Sequence, residues 1–186
     1  MATELLRRLF TVAEYNQIVE AGILREDDRL ELIQGAIIQI SPTGRRHAAC
    51  VSRLNRLFHG ILGDRLLLGI QNPIELDNVS EPQPDVTLLD PKPDCYESGH
   101  PRPSDSFLLI EVSDTTIEFD RDVKLPLYAK ASIPEVWLVD INSQCVEVYR
   151  QPTTTGYQAV QILERGQVTT IQTFPDAVIG LDDILG

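Results

Sequence analysis

The chain has few cysteines, and the three present (Cys50, Cys95 and Cys145) lie far apart with no CxxC spacing. An odd, scattered set builds neither a disulfide framework nor a zinc site, and it fits a reducing compartment. Long apolar runs are also missing. The opening MATELLRRLF carries arginines but no stretch suited to a signal peptide. Nothing later approaches the roughly 20 apolar residues of a membrane span. A cytoplasmic protein with no membrane partner is therefore expected. Internal repeats and low-complexity tracts are absent as well. Positive charge is scarce: 16 lysines and arginines stand against 28 aspartates and glutamates, for a net charge of −12. Such a balance opposes binding of polyanions, which leaves a basic footprint on most proteins that do it. The deficit is uneven. Between Ser41 and Gly63 no acid occurs, while Arg45, Arg46, Arg53, Arg56, His47 and His59 do. This segment is open to two readings, a local phosphate-contacting face or a solvated helix face.

What is present reads as one domain over residues 1–186, long enough to bury a core, with 42% hydrophobic and 24% charged residues as in ordinary globular proteins. The rest of the chain is organised around Phe107 to Lys130. Phe107–Ile110 is an apolar run that predicts a strand buried on both faces. Glu111 interrupts it, and a buried carboxylate needs a cation, a hydrogen-bond network or water. Asp120, Asp122 and Lys124 follow near the start of a predicted helix. Upstream, Gln83-Pro84-Asp85 places another acid at the mouth of a second apolar strand, Val86–Leu89.

Elsewhere, Thr11 and Glu14 have capping-box spacing ahead of a helix that should stop near Gly22. Arg29–Ile33 and Ala36–Ile40 flank a Gln34-Gly35 turn and predict a hairpin, with Glu31 between leucines in its first strand. Ser41–Gly44 breaks the pattern. Arg46–Leu62 predicts a long amphipathic helix with Val51, Leu54, Phe58, Ile61 and Leu62 on one face. Leu66–Ile70 predicts a strand. The prolines of residues 79–84 hold an extended connector up to Asp85. The proline-rich stretch from Pro91 to Pro103 should cross the surface and cover one side of the site. Pro126 implies that regular helix starts close to Lys124, capped by Asp120 or Asp122, and ends near Ser132. Two more hairpins are expected: Glu135–Asp140 with Cys145–Tyr149, and Tyr157–Leu163 with Val168–Ile171. Strand–helix alternation in the middle and hairpins at both ends predict an α/β fold, a mixed sheet with helices against it.

Two acids at neighbouring strand ends with a lysine nearby are the ingredients of a magnesium-dependent phosphodiesterase site. Mg²⁺ takes one or two carboxylates plus waters, and Asp85 and Glu111 would serve. Lys124 would stabilise developing negative charge or orient the attacking water. A purely structural reading stands beside this one: Asp85 satisfies a turn after Pro84, and Glu111 pairs with Lys124 or an arginine. Tyr128 and Trp137 read as core. Asp114, Glu118, Asp120 and Asp122 read as an acidic rim, a solvated loop or partners of Lys124.

The segments QPD, IEVSDTT and FDRDVKLPLYAKASIPEVWLVD, together with LELIQGAIIQISPTGRRHA, resemble the Uma-two family of bacterial endonuclease-like proteins in the PD-(D/E)XK superfamily. The resemblance spans about Leu30 to Asp140. It implies a restriction-endonuclease-like mixed sheet flanked by helices, with Asp85 and Glu111 as acids for Mg²⁺ or Mn²⁺. The superfamily lysine normally stands two residues after the second acid, where this chain has Ser113. The family resembled here also has a serine there and a lysine on the following helix, which corresponds to Lys124. Glu31, as a metal or helper ligand, and His47 fall on further polar motif positions.

The expectation is a metal-dependent endonuclease acting on DNA, catalysed by Asp85, Glu111 and Lys124. Arg46, His47, Arg53 and Arg56 would contact phosphates. Cutting both strands favours a homodimer. The alternative is a catalytically weak nucleic-acid-binding or regulatory module that keeps the fold.

Overall fold

The computed structural model describes residues 7–25, 28–40 and 44–186. The break predicted at Ser41–Gly44 falls, except for Gly44, outside the described residues.

Helix α1 (Val12–Glu20) starts as its sequence dictates. The Thr11 hydroxyl accepts from the Glu14 N–H while the Glu14 carboxylate accepts from the Thr11 N–H, satisfying two otherwise orphaned donors. Strands β1 (Leu30–Ile33) and β2 (Ala36–Gln39) form the expected hairpin. Its turn residues Gln34 and Gly35 both have positive φ. A Cβ at Gly35 would also lie 2.7 Å from that of Leu9, so glycine is required twice over.

Helix α2 (Arg45–Leu62) lays Cys50, Val51, Leu54, Phe58 and Leu62 on the core. Cys50 joins that face, whereas Ile61, expected there, is 40% exposed. Next come β3 (Leu67–Ile70), β4 (Val86–Leu89) and β5 (Ser106–Ser113). A helical crossover follows: α3 (Ile117–Phe119), a π turn (Asp120–Lys124) and α4 (Leu125–Lys130). Strands β6 (Glu135–Asp140), β7 (Cys145–Thr153), β8 (Gly156–Glu164), β9 (Val168–Thr170) and β10 (Val178–Gly180) lead into the terminal helix α5 (Leu181–Leu185).

Six strands form one mixed sheet in the order β3-β4-β5-β6-β7-β8, in which only β5 and β6 are parallel. A parallel pair needs a long connection, and the α3–α4 crossover is that connection. One face packs α2 and α5 against Val86, Leu108, Ile110 and Trp137. The other packs α4, through Leu125 and Tyr128, against Leu109, Val136 and Leu138. The β1–β2 hairpin and α1 form a smaller cluster through Leu32, Val12 and Tyr15.

Three expectations need correcting. Regular α-helix does begin close to Lys124, at Leu125, but neither Asp120 nor Asp122 caps it: Lys124 is the residue before it, and Asp120 lies inside a helical backbone that already runs from Ile117. The π turn explains how the chain passes Pro126. The Leu125 N–H reaches back five residues to the Asp120 carbonyl, so the register widens just before the residue that lacks a donor. Second, β8 pairs with β7, which runs on through Pro152 to Thr153, and β9 pairs with β10. Third, the proline-rich loop contributes nothing to the cavity described below. It closes on itself, with the Asp90 N–H donating to the Asp105 carbonyl.

Candidate functional site

The register of β4 against β5 decides where the two acids stand. Val86 pairs with Ile110, so Asp85 and Glu111 come next to one another on one face of the sheet. Both line a cavity of about 360 Å³, with Glu31 from β1, His47 from the first turn of α2, Gln71 after β3, and Asp120 and Lys124 from the π turn.

Asp85 is held by three donors. Its Oδ2 lies 2.9 Å from His47 Nε2 and accepts the Val112 N–H at 2.9 Å, and its Oδ1 accepts from Gln71 Nε2 at 3.1 Å. Glu111, 4% exposed, takes both of its hydrogen bonds on Oε1, from Lys124 Nζ at 3.2 Å and from the Tyr128 hydroxyl. Lys124 Nζ also donates to Glu31 Oε1 at 2.9 Å, and the same oxygen accepts the Gln83 N–H at 2.8 Å. The ammonium therefore bridges two buried carboxylates.

Burial is the largest influence on Glu111 and pushes its carboxyl well above the usual carboxylate range, with Lys124 pulling it back and Asp120, Asp85 and Glu31 adding to the rise. Burial alone would depress the Lys124 ammonium. Glu111 and Glu31 outweigh it and hold the lysine above its ordinary range. Burial, and then Glu111, raises the Tyr128 hydroxyl in the same way.

The helical spacing 120, 124, 128 is matched to the strand spacing 113, 111. Asp120 Oδ2 accepts from Ser113 Oγ at 2.6 Å and from Thr116 Oγ1 at 2.7 Å, while Lys124 and Tyr128 both meet Glu111. The π turn turns both Asp120 and Lys124 inward. Tyr128 and Asp120 are thus functional candidates; the sequence placed Tyr128 in the core and left Asp120 open between an acidic rim, a solvated loop and a partner of Lys124. The only signal available was their four-residue spacing around Lys124.

Of the expected phosphate contacts, His47 lines the cavity and is bound to Asp85. Arg46, Arg53 and Arg56 do not line it. Arg46 touches its rim through Asp114 at 3.3 Å and otherwise binds Asn142 and the Ile141 carbonyl. Arg53 donates to the Ile184 and Leu185 carbonyls and so caps the end of α5. Arg56 is exposed on α2.

The residues present fit a hard divalent cation. Carboxylates dominate the cavity lining, with Glu31, Asp85, Glu111, Asp114 and Asp120 against Arg29 and Lys124. Glu31 Oε2 and His47 Nδ1 are buried with no partner among the described residues. No group of three or more His, Cys, Asp or Glu side chains is spaced to hold an ion among the described residues. Mg²⁺ needs only one or two carboxylates when waters complete its shell, which Asp85 and Glu111 can supply.

Comparison with known proteins shows the fold and the family. The Uma2 (Uma-two) family model, described as "Putative restriction endonuclease", matches residues 12–182. The fold is similar to that in the crystal structure of "a putative nuclease belonging to DUF820" from Anabaena variabilis ATCC 29413. The TM-score is 0.70 and the identity 16%, over 95% of this chain and 97% of that one. No curated protein matches the chain. Among the described residues no helix is long and apolar enough to cross a membrane. With a match over nearly its whole described length, the chain belongs to the Uma2 family.

Proposed function

We propose that the chain is a metal-dependent endonuclease that hydrolyses phosphodiester bonds in DNA. The observation that carries this reading is the bridge of Lys124 between Glu111 and Glu31, in the cavity that Asp85 enters from the adjacent strand. A buried lysine between acids beside an open cavity is the arrangement expected where negative charge must be both held and balanced.

Asp85 and Glu111 would hold Mg²⁺ or Mn²⁺, with Glu31 as a helper ligand through its unpartnered Oε2. A bound divalent cation supplies charge neutralisation at the phosphate and acidity for a water. The side chains do the rest. Tyr128 and Lys124 fix Glu111 by Oε1 and leave Oε2 for the cavity. His47, Gln71 and the Val112 N–H fix Asp85. Lys124 supplies a positive charge that burial cannot neutralise, because two carboxylates keep it protonated. Ser113, bound to Asp120, fills the usual lysine position with a neutral donor and orders the turn that carries Lys124. A homodimer in the cytoplasm completes the reading, since closed two-fold assemblies are the commonest.

The test is hydrolysis of labelled DNA with Mg²⁺ or Mn²⁺ added or chelated. Cleavage should require the metal and disappear in Asp85→Asn. Metal-independent cleavage, or an Asp85→Asn variant as fast as wild type, would remove the proposal. Light scattering should give a dimer at micromolar protein. Retention of DNA binding without hydrolysis under any metal would favour the binding-module alternative, which the double clamp on Lys124 also allows.

A further inference from the structure

The cavity is not polar throughout. Ile38, Ile40 and Phe119 line the same space as Glu31, Asp85 and Glu111. Phe119 sits at the end of α3, half-buried, and pairs with no other aromatic ring among the described residues. Gln39 is exposed at the end of β2 on the same lining. The space of about 360 Å³ falls in the range of roughly 300–1,000 Å³ that encloses a small organic group.

Duplex DNA is a poor match for this surface. Its binding depends on cations spaced along the phosphates. Here Arg53 is turned onto α5, Arg46 is bound to Asp114, Asn142 and the Ile141 carbonyl, and the chain carries a net charge of −12. A base stacked and paired within a duplex also has no free face for Phe119. An unpaired base has two, and stacking on an aromatic ring is the sequence-tolerant way to hold it.

We propose that the substrate unit is an unpaired nucleotide of single-stranded DNA, whose base enters the apolar part of the cavity and stacks on Phe119. Its phosphate then lies toward Asp85, Glu111 and Lys124. The inference rests on the nuclease reading for its phosphate end, but the base subsite stands on the cavity wall. Gln39 is placed to meet the polar edge of the base at the rim. Affinity comes from stacking and enclosure, so an acidic protein needs no basic stripe.

Fluorescence anisotropy with Ca²⁺ in place of Mg²⁺ reads binding, and parallel reactions in Mg²⁺ or Mn²⁺ read hydrolysis. Labelled single-stranded and duplex oligonucleotides of one sequence serve as probes. The single strand should bind at least about ten-fold tighter, with a shallow salt dependence equivalent to about one or two phosphates. Phe119→Leu keeps apolar bulk but loses the ring, and should weaken single-strand binding roughly ten-fold. Phe119→Trp should retain it. Duplex binding as tight as single-strand binding, no binding to either probe, or an unchanged Phe119→Leu would overturn the inference. Single-strand binding that depends on Phe119 without hydrolysis would uphold it and remove the nuclease reading. Duplex binding with metal-dependent cleavage would do the reverse.

Discussion

The Lys124 ammonium lies 3.2 Å from Glu111 Oε1, although the two residues are separated by 13 positions along the chain. The π turn makes this possible by bringing Lys124 back over the end of β5, and Glu31 anchors the same ammonium at 2.9 Å. A lysine held in this way is at once a catalytic candidate and a structural counterion, and the two roles can be separated.

Replacing Lys124 with methionine keeps most of its volume and leaves two buried acids, Glu31 and Glu111, without the ammonium that bridges them. Breaking a buried pair in this way costs about 3–5 kcal/mol. Urea unfolding of Lys124→Met should show that loss, and Glu31→Gln combined with Lys124→Met should recover part of it. A Lys124→Met protein as stable as wild type would mean that the bridge contributes nothing to folding.

Tyr128→Phe removes one oxygen from a fully buried ring. Glu111 then loses one of its two donors and its carboxylate can rotate. Loss of an outer-shell partner of this kind typically lowers metal affinity by about 10–100-fold. Calorimetric titration with Mn²⁺ should show that drop. A lower melting temperature with unchanged Mn²⁺ affinity would confine Tyr128 to packing.

The raised Glu111 carboxyl has a pH signature in metal-free protein. Below the ordinary carboxylate range the group is protonated in both folded and unfolded chains. Above it the unfolded chain releases the proton and the folded chain keeps it, so stability falls as pH rises toward the raised folded value. Lys124 adds no slope there, because its contribution is complete below the ordinary lysine range. The stability of wild type minus that of Glu111→Gln should therefore fall as pH rises above the ordinary carboxylate range of about 4.3, by at most about 1.4 kcal/mol per pH unit. A flat or rising difference contradicts the assignment.

Arg53→Ala should lower stability without touching DNA. Its guanidinium holds the carbonyls at the end of α5, and hydrogen bonds from a charged donor contribute about 1.5–3 kcal/mol. The salt dependence of DNA binding should not change. A flatter slope in Arg53→Ala would return this residue to the phosphate-binding face.

The parts of the fold readable from sequence were those with local causes. Thr11 and Glu14 start α1 through bonds three residues apart, and Gln34-Gly35 sets the hairpin by backbone preference alone. The Val86–Leu89 and Phe107–Ile110 runs became neighbouring strands as their composition required. Pairing of β8 was less accessible, because it depends on β7 continuing through Pro152, where a proline argues against strand. Asp85, Glu111 and Lys124 were recognisable as acids and a lysine at strand and helix ends. Tyr128 was not, since an aromatic at helical spacing looks like core whether or not its hydroxyl has work to do. The surroundings of Arg53 were hidden for the opposite reason. On an amphipathic helix it looks solvated or phosphate-bound, and only the position of α5 shows that backbone carbonyls occupy it.

The bond between Lys124 and Glu31 spans 93 residues, which gives the site a history in time. Synthesis proceeds from the N-terminus at roughly 5–20 residues per second, so Glu31 precedes its cation by roughly 5–20 s. During that interval, docking of the hairpin would bury an uncompensated carboxylate, which is strongly unfavourable. The nascent chain must therefore keep β1 open to water until the crossover helix has left the ribosome. The buried pair of Lys124 and Glu31 thus forms only after the crossover has emerged.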